Sequence, residues 1–201
     1  MNVSAILDMV KTSCGAAMSD HVSVCVFCGS RDGTDPAYAQ AAHATGAMLA
    51  ANGWQLVYGA GDVGLMGRVA QAAQDGGGRT FGVIPGHLRD LEVGRAGLDT
   101  FVVTETMHER KKVMFMNAAA IVVLPGGAGS LDEFFEVLTW RQLSLHTKPI
   151  YLLNVDGFWE PLIALLSHVV ARGFAAPDIL GIARIVPDVD TLQAALREDL
   201  G

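Results

Sequence analysis

The stretch AIVVLPGGAGSLDEFFEVLTWRQL, residues 120–143, decides the fold. Ala120–Leu124 is a short, wholly apolar run rich in β-branched residues, which reads as a strand buried on both faces. Pro125-Gly126-Gly127-Ala128-Gly129-Ser130 stops that strand with a glycine-rich loop. From Leu131 to Leu143 the apolar residues return at helical spacing. A buried strand, a glycine-rich loop and a helix make up one unit of an α/β protein.

The same unit recurs on both sides of this stretch. Val22–Cys28 reads as a strand and Pro36–Asn52 as a helix, with Pro36 near its first position and Gly53 as its stop. Trp54–Tyr58, Thr80–Ile84, Phe101–Val103, Pro149–Leu153 and Ala183–Val186 read as further strands. Gly64–Asp75, Thr106–Ala118, Phe158–Arg172 and Thr191–Asp199 read as helices. His87–Asp99 contains glycine and mixed charge, and reads as an irregular loop over the sheet edge. Residues 1–20 read as an extension, with a helical turn or two around Ala5 to Val10, ahead of one domain spanning 21–201. The alternation predicts a single Rossmann-like, doubly wound α/β domain with a mostly parallel sheet and helices on both faces. Ligands of such sheets bind beyond the carboxyl ends of the strands, near a topological switch point. Three glycine-bearing loops fall there: Cys28-Gly29-Ser30, Gly59-Ala60-Gly61 and Pro125–Ser130.

Composition narrows the function. The chain has 201 residues, 51% hydrophobic and 17% charged, too apolar for disorder and long enough for a substantial core. Its formal net charge of −7 argues against bulk nucleic-acid binding, because a polyanion is repelled. A small phosphorylated ligand remains compatible, since backbone N–H groups and one or two local cations suffice to hold it. No segment has the length of a membrane span, and the N-terminus lacks the order of a signal peptide. Cys25 and Cys28 form a C-x-x-C, but an odd separation in a strand sends them to opposite faces, and no second pair follows at zinc spacing. They read as two core thiols in a reducing cytoplasm.

Three motifs carry candidate chemistry. Gly59-Ala60-Gly61-Asp62-Val63-Gly64 matches the dinucleotide fingerprint G-x-G-x-x-G, yet it follows the second strand. The next strand, Thr80–Ile84, also ends without the acid that a dinucleotide ribose requires. The Pro125–Glu133 segment is more specific. Its glycines let a backbone approach a ligand, Ser130 can cap the helix starting there and donate to a phosphate oxygen, and the helix N-terminus favours an anion. Glu133, in the first helical turn, is either a capping-box glutamate reaching back to Ser130 or a functional acid. In Met107-His108-Glu109-Arg110-Lys111-Lys112, cations open a helix against its macrodipole, an arrangement that suggests service to a ligand rather than a solvated face.

In combination and in order, Gly59–Gly67, Val83-Ile84-Pro85, Met107–Lys111, Pro125–Glu133, Leu138–Leu143, Lys148-Pro149 and Leu152–Phe158 closely resemble the LONELY GUY (LOG) family. These are cytokinin riboside 5′-monophosphate phosphoribohydrolases, many formerly labelled lysine decarboxylases. The resemblance covers roughly Val22 to Phe174. It implies hydrolysis of the N-glycosidic bond of an N6-modified adenosine monophosphate, or of AMP, to free base and ribose 5-phosphate. It also implies a homodimer with sites near the interface. The family's catalytic arginine falls on Arg110 and its catalytic glutamate on Glu133. Its substrate-binding positions fall on Glu92, Lys111, the loop Gly127, Ala128, Gly129 and Ser130, and Thr139. The loop ends add Gly29, Ser30, Gly61, Met66 and Gly126 as ligand-facing candidates. The chain carries Ala60 where glycine is usual, Ser130 where threonine is usual, and Ala119 where aspartate commonly precedes the strand.

Glycosidic cleavage passes through an oxocarbenium-like sugar, which a carboxylate beside the anomeric carbon can stabilise while activating water. Glu133 suits that role. Arg110 can orient Glu133, bind phosphate or assist the leaving base, and the sequence does not choose among these. No metal or redox cofactor is needed. The competing expectations are a non-catalytic nucleotide or cofactor carrier on the same fold, and a pyridoxal-dependent decarboxylase, for which Lys11, Lys111, Lys112 and Lys148 offer no recognisable cofactor context.

Overall fold

The computed structural model describes residues 21–89 and 97–201. Among these residues seven strands form one sheet in the order β4-β3-β2-β1-β5-β6-β7. They are β1 (Ser23–Phe27), β2 (Gln55–Tyr58), β3 (Thr80–Pro85), β4 (Thr100–Thr104), β5 (Ala120–Val123), β6 (Ile150–Leu153) and β7 (Ala183–Val186). All neighbouring pairs are parallel, for example Cys25 beside Val57 on one side and beside Ile121 on the other. The helices are α1 (Pro36–Ala51), α2 (Gly64–Asp75), α3 (Met107–Met116), α4 (Ala128–Gln142), α5 (Glu160–Ala171) and α6 (Val189–Leu200).

The core divides into two layers, as a doubly wound sheet requires. One layer joins alternate residues of the central strands, such as Val24, Val26 and Tyr58, to Leu49, Leu65 and Leu196 of α1, α2 and α6. The other joins Cys25, Phe27 and Ile121 to Met114, Phe134 and Leu166 of α3, α4 and α5. Cys28 belongs to the first layer and Cys25 to the second, so the C-x-x-C thiols do stand on opposite faces. Both are free, and burial holds both thiols well above their ordinary pKa, with the charge of Glu133 adding to it.

The chain winds outward from β1 through β2, β3 and β4, then returns across β1 to lay down β5, β6 and β7. The direction reverses between β1 and β5, and a crevice opens there because the two following loops depart to opposite sides. The local signals hold. Asp35 caps α1, its carboxylate accepting from Ala37 N at 2.9 Å, Pro36 stands in the first turn, and Gly53 ends the helix at φ +68°.

Several boundaries differ from expectation. Helix α4 begins at Ala128, three residues before Leu131, because Gly127 in extended conformation serves as N-cap and its carbonyl accepts from Leu131 N at 3.1 Å. Ser130 is therefore not the cap, Glu133 lies in the second turn, and the Ser130–Glu133 capping box is not formed. A capping box exists one helix earlier. Thr106 Oγ1 accepts from Glu109 N at 3.2 Å, and Glu109 Oε2 accepts from Thr106 N at 3.1 Å. Glu109 thereby offsets the cations that follow it. Helix α5 starts at Glu160, after a 3-10 turn at Val155–Gly157. The segment expected as a loop after β3 opens with a helical turn, Gly86–Arg89. The expected extension over 1–20 lies outside the described residues. Among the described residues no helix is long and apolar enough to cross a membrane.

Candidate active site

The loops after β1 and β5 meet at the switch point. Gly29 N donates to Pro125 O at 3.1 Å, and Met66 N at the start of α2 donates to Gly29 O at 3.3 Å. A cavity of about 600 Å³ opens above them, a volume suited to a small ligand. Gly126 and Gly127 form its floor together with the first turn of α4. A methyl group on Gly126 would come within 2.1 Å of Ser130 Oγ, so only glycine leaves room for the buried serine beneath the loop. No side chain caps α4, and its first residues line the cavity, an arrangement suited to an anion.

Glu133 enters the same cavity from the second turn of α4. Burial pushes its carboxyl up to about 7, against the pull of the Arg110 guanidinium; Asp132 and Glu136 add to the rise, and Lys111 opposes it. An acid poised near neutrality in a cleft is the form a proton-transfer group takes.

Arg110 reaches the cavity from α3 and is buried. Its Nε donates to Val83 O at 3.1 Å and its Nη2 to Gly59 O at 2.7 Å, both acceptors at the carboxyl ends of strands. A Cβ at position 59 would stand 2.0 Å from Nη2. The first glycine of the G-x-G-x-x-G therefore makes room for the arginine, not for a dinucleotide. Ala60, where the LOG pattern has glycine, is held at φ +59° and is wholly buried. That is left-handed backbone, which explains why glycine suits the position.

The expected basic run divides. Lys112 and His108 are exposed, whereas Arg110 and Lys111 are buried. Lys111 Nζ stands 2.9 Å from Asp132 and 3.1 Å from Glu136. Burial works against its charge, but the two carboxylates outweigh it and raise its pKa above the ordinary value. Lys111 is thus engaged with acids and does not line the cavity.

Of the other expected site residues, Gly29, Ser30, Met66 and the loop Gly126, Gly127, Ala128, Gly129 and Ser130 do line it. Gly61 and Thr139 do not; the Thr139 hydroxyl is exposed and donates back to Phe135 O at 2.7 Å. Glu92 lies outside the described residues. The structure adds Arg31, Asp32, Tyr38, Leu88, Met107 and Phe158 to the lining. Arg31 and Asp32 directly follow the Gly29-Ser30 turn, so their position in the sequence was a usable signal. Phe158 carries no such signal: it lines the cavity together with Tyr38 of α1, whose ring it meets edge-on with centroids 5.4 Å apart.

An all-parallel, doubly wound sheet with a poised acid beside a glycine-rich helix start that no side chain caps defines an α/β protein whose switch-point cavity suits an anionic small ligand. The model of the family described as "Possible lysine decarboxylase" matches residues 66–196. The cytokinin riboside 5′-monophosphate phosphoribohydrolase LOG of Oryza sativa subsp. japonica is 43% identical over 87% of this chain and 72% of its own length. An Arabidopsis thaliana enzyme of the same description is 41% identical over 87% of this chain and 82% of its own. A solved Chlamydomonas molybdenum cofactor (Moco) carrier protein superposes with a TM-score of 0.69, covering 90% of this chain and 99% of that one, at 22% identity, which establishes the shared fold alone. The chain belongs to the LOG family, the group that this lysine decarboxylase model describes.

Proposed function

We propose that the protein hydrolyses the N-glycosidic bond of a nucleoside 5′-monophosphate, a cytokinin riboside 5′-monophosphate or AMP, to free base and ribose 5-phosphate. The observation that carries this reading is the Glu133 carboxyl, poised at about 7 beside the open start of α4. Relatives above 40% identity that are named for this reaction support it.

The phosphate sits on the N–H groups of the first turn of α4, which sets the ribose over Glu133. As the C1′–N9 bond breaks, its electron pair leaves with the base and positive charge develops on the sugar. Glu133 in its carboxylate form stabilises that charge and takes a proton from the attacking water, whose oxygen bonds to C1′. The proton that Glu133 takes from the water passes on to the departing base, which restores the carboxylate. Arg110, fixed on the Gly59 and Val83 carbonyls, supplies the positive field that keeps a fraction of Glu133 ionised at neutral pH.

A decarboxylase acting through a lysine-bound cofactor finds less support, because Lys111, Lys112 and Lys148 do not line the cavity. The deciding experiment is incubation with AMP and with isopentenyladenosine monophosphate, followed by chromatography. Free base is expected; binding without base release would instead mark a carrier.

The protein also works as a homodimer in this reading, through α3 and α4, which expose Met107, Met116 and Phe135. Light scattering at micromolar concentration is expected to give twice the chain mass, and a monomer mass would refute the assembly.

A further inference from the structure

Among the described residues, Arg31 and Arg110 are the cations that line the cavity. Among the described residues its lining holds five charged side chains: Arg31, Asp32, Arg110, Asp132 and Glu133. Asp32, Asp132 and Arg110 are engaged, and Glu133 is the acid itself. Asp32 accepts from Arg68, with Nη2 at 3.3 Å, and Asp132 accepts from Lys111 at 2.9 Å. Arg110 has Nε and Nη2 on backbone carbonyls and its field on Glu133. Lys111, the second cation expected from the sequence, is turned away to Asp132 and Glu136.

Arg31 differs from all of these. Its side chain is exposed, and its guanidinium makes no hydrogen bond or ion pair with the described residues. Its backbone, by contrast, is tightly held. Gly64, at φ +59°, lies so close that a Cβ there would fall 2.3 Å from Arg31 N, and Arg31 O packs over Gly29. The Gly29 and Gly126 backbones are themselves in contact, so Arg31 stands on a fixed base beside the first turn of α4. The neighbouring acid that would neutralise it, Asp32, is held by Arg68.

We propose that Arg31 is the phosphate clamp of this site, its guanidinium folding over the 5′-phosphate seated on the start of α4. The inference rests on the nucleotide reading and deepens it. A guanidinium matches phosphate oxygens two at a time, and a fixed backbone with a free side chain lets it admit the ligand and then cover it. Arg31 is then a binding residue specific for the phosphate, while Arg110 serves Glu133.

The test compares wild type, Arg31→Ala and Arg31→Lys in titration calorimetry with carbocyclic AMP and carbocyclic adenosine. With carbon in place of the ring oxygen, no oxocarbenium forms and neither ligand is consumed. Loss of one charge-assisted contact is expected to weaken carbocyclic AMP about 10–100-fold in Arg31→Ala. Arg31→Lys should recover part of that loss, and carbocyclic adenosine should bind all three proteins within about twofold. Carbocyclic AMP binding to Arg31→Ala at wild-type strength would overturn the clamp, as would an equal loss for both ligands, or no binding of carbocyclic AMP to wild type. Base release from AMP, measured on the same preparations, judges the hydrolase reading separately. A silent wild type with a large Arg31 effect on binding keeps the clamp and removes the reaction. An active enzyme indifferent to Arg31 does the reverse.

Discussion

Replacing Glu133 by glutamine should stabilise the protein while abolishing its activity. The carboxyl titrates at about 7 in the folded chain against 4.5 for an ordinary glutamate. Because the folded pKa is raised, the folded state holds its proton longer than the unfolded one, and stability falls as pH rises between the two values. Below about 4.5 both states are protonated and nothing is lost. Above about 7 the full cost of a buried carboxylate is present. The interval from 4.5 to about 7, at ~1.4 kcal/mol per pH unit, amounts to about 3 kcal/mol. Glutamine keeps the shape and never ionises, so the variant should exceed wild type by about 3 kcal/mol at pH 8, by about 2 at pH 6 and by under about 1 at pH 5. At pH 8 that corresponds to a rise of roughly 6–12 °C in Tm for a chain of this length. Urea denaturation followed by tryptophan fluorescence at the three pH values gives the comparison. Base release measured in parallel should fall by on the order of 10²-fold or more. A variant less stable than wild type at pH 8, or a gain that does not change with pH, would refute the reasoning: Glu133 would not then be a desolvated acid.

Further outcomes follow from the same geometry. The kcat/KM of the wild type should rise with pH and level off with an apparent pKa near 7, as the free-enzyme carboxylate forms; a profile flat from pH 5.5 to 8.5 would remove Glu133 as the titrating group. Gly59→Ala places a methyl group 2.0 Å from Arg110 Nη2, so it should cost about 1–3 kcal/mol of stability and most of the activity; an active, stable variant would show that the Gly59–Arg110 contact is dispensable. Lys111→Met removes a cation that favours the Glu133 carboxylate, so the activity profile should shift to higher pH while KM for AMP changes little. A large rise in KM with an unmoved profile would return Lys111 to the phosphate.

The sequence by itself determined the alternation of strands and helices, the placing of Cys25 and Cys28 in different layers, and the glycine-rich loops at the strand ends. Those features are written in periodicity and turn chemistry within stretches of fewer than about twenty residues, where neighbours in sequence are neighbours in space. It also singled out Arg110 and Glu133, through motifs whose order the fold preserves. It misplaced the start of α4 because Ser130 and Glu133 carry the lettering of a capping box, while Gly127 could take the cap position by backbone alone. The partners of the charges were decided only by tertiary structure. Arg110 finds its acceptors 27 and 51 residues away, and Lys111 meets Asp132 at a distance of 21. Adjacent cations in the sequence thus meet different surroundings: Arg110 lines the cavity of Glu133, Lys111 pairs with Asp132 and Glu136 without lining it, and Arg31, some eighty residues earlier, stands exposed in the lining. A charge acts through what surrounds it once water is removed, and that surrounding exists only when β1, β2, β3 and β5 lie side by side.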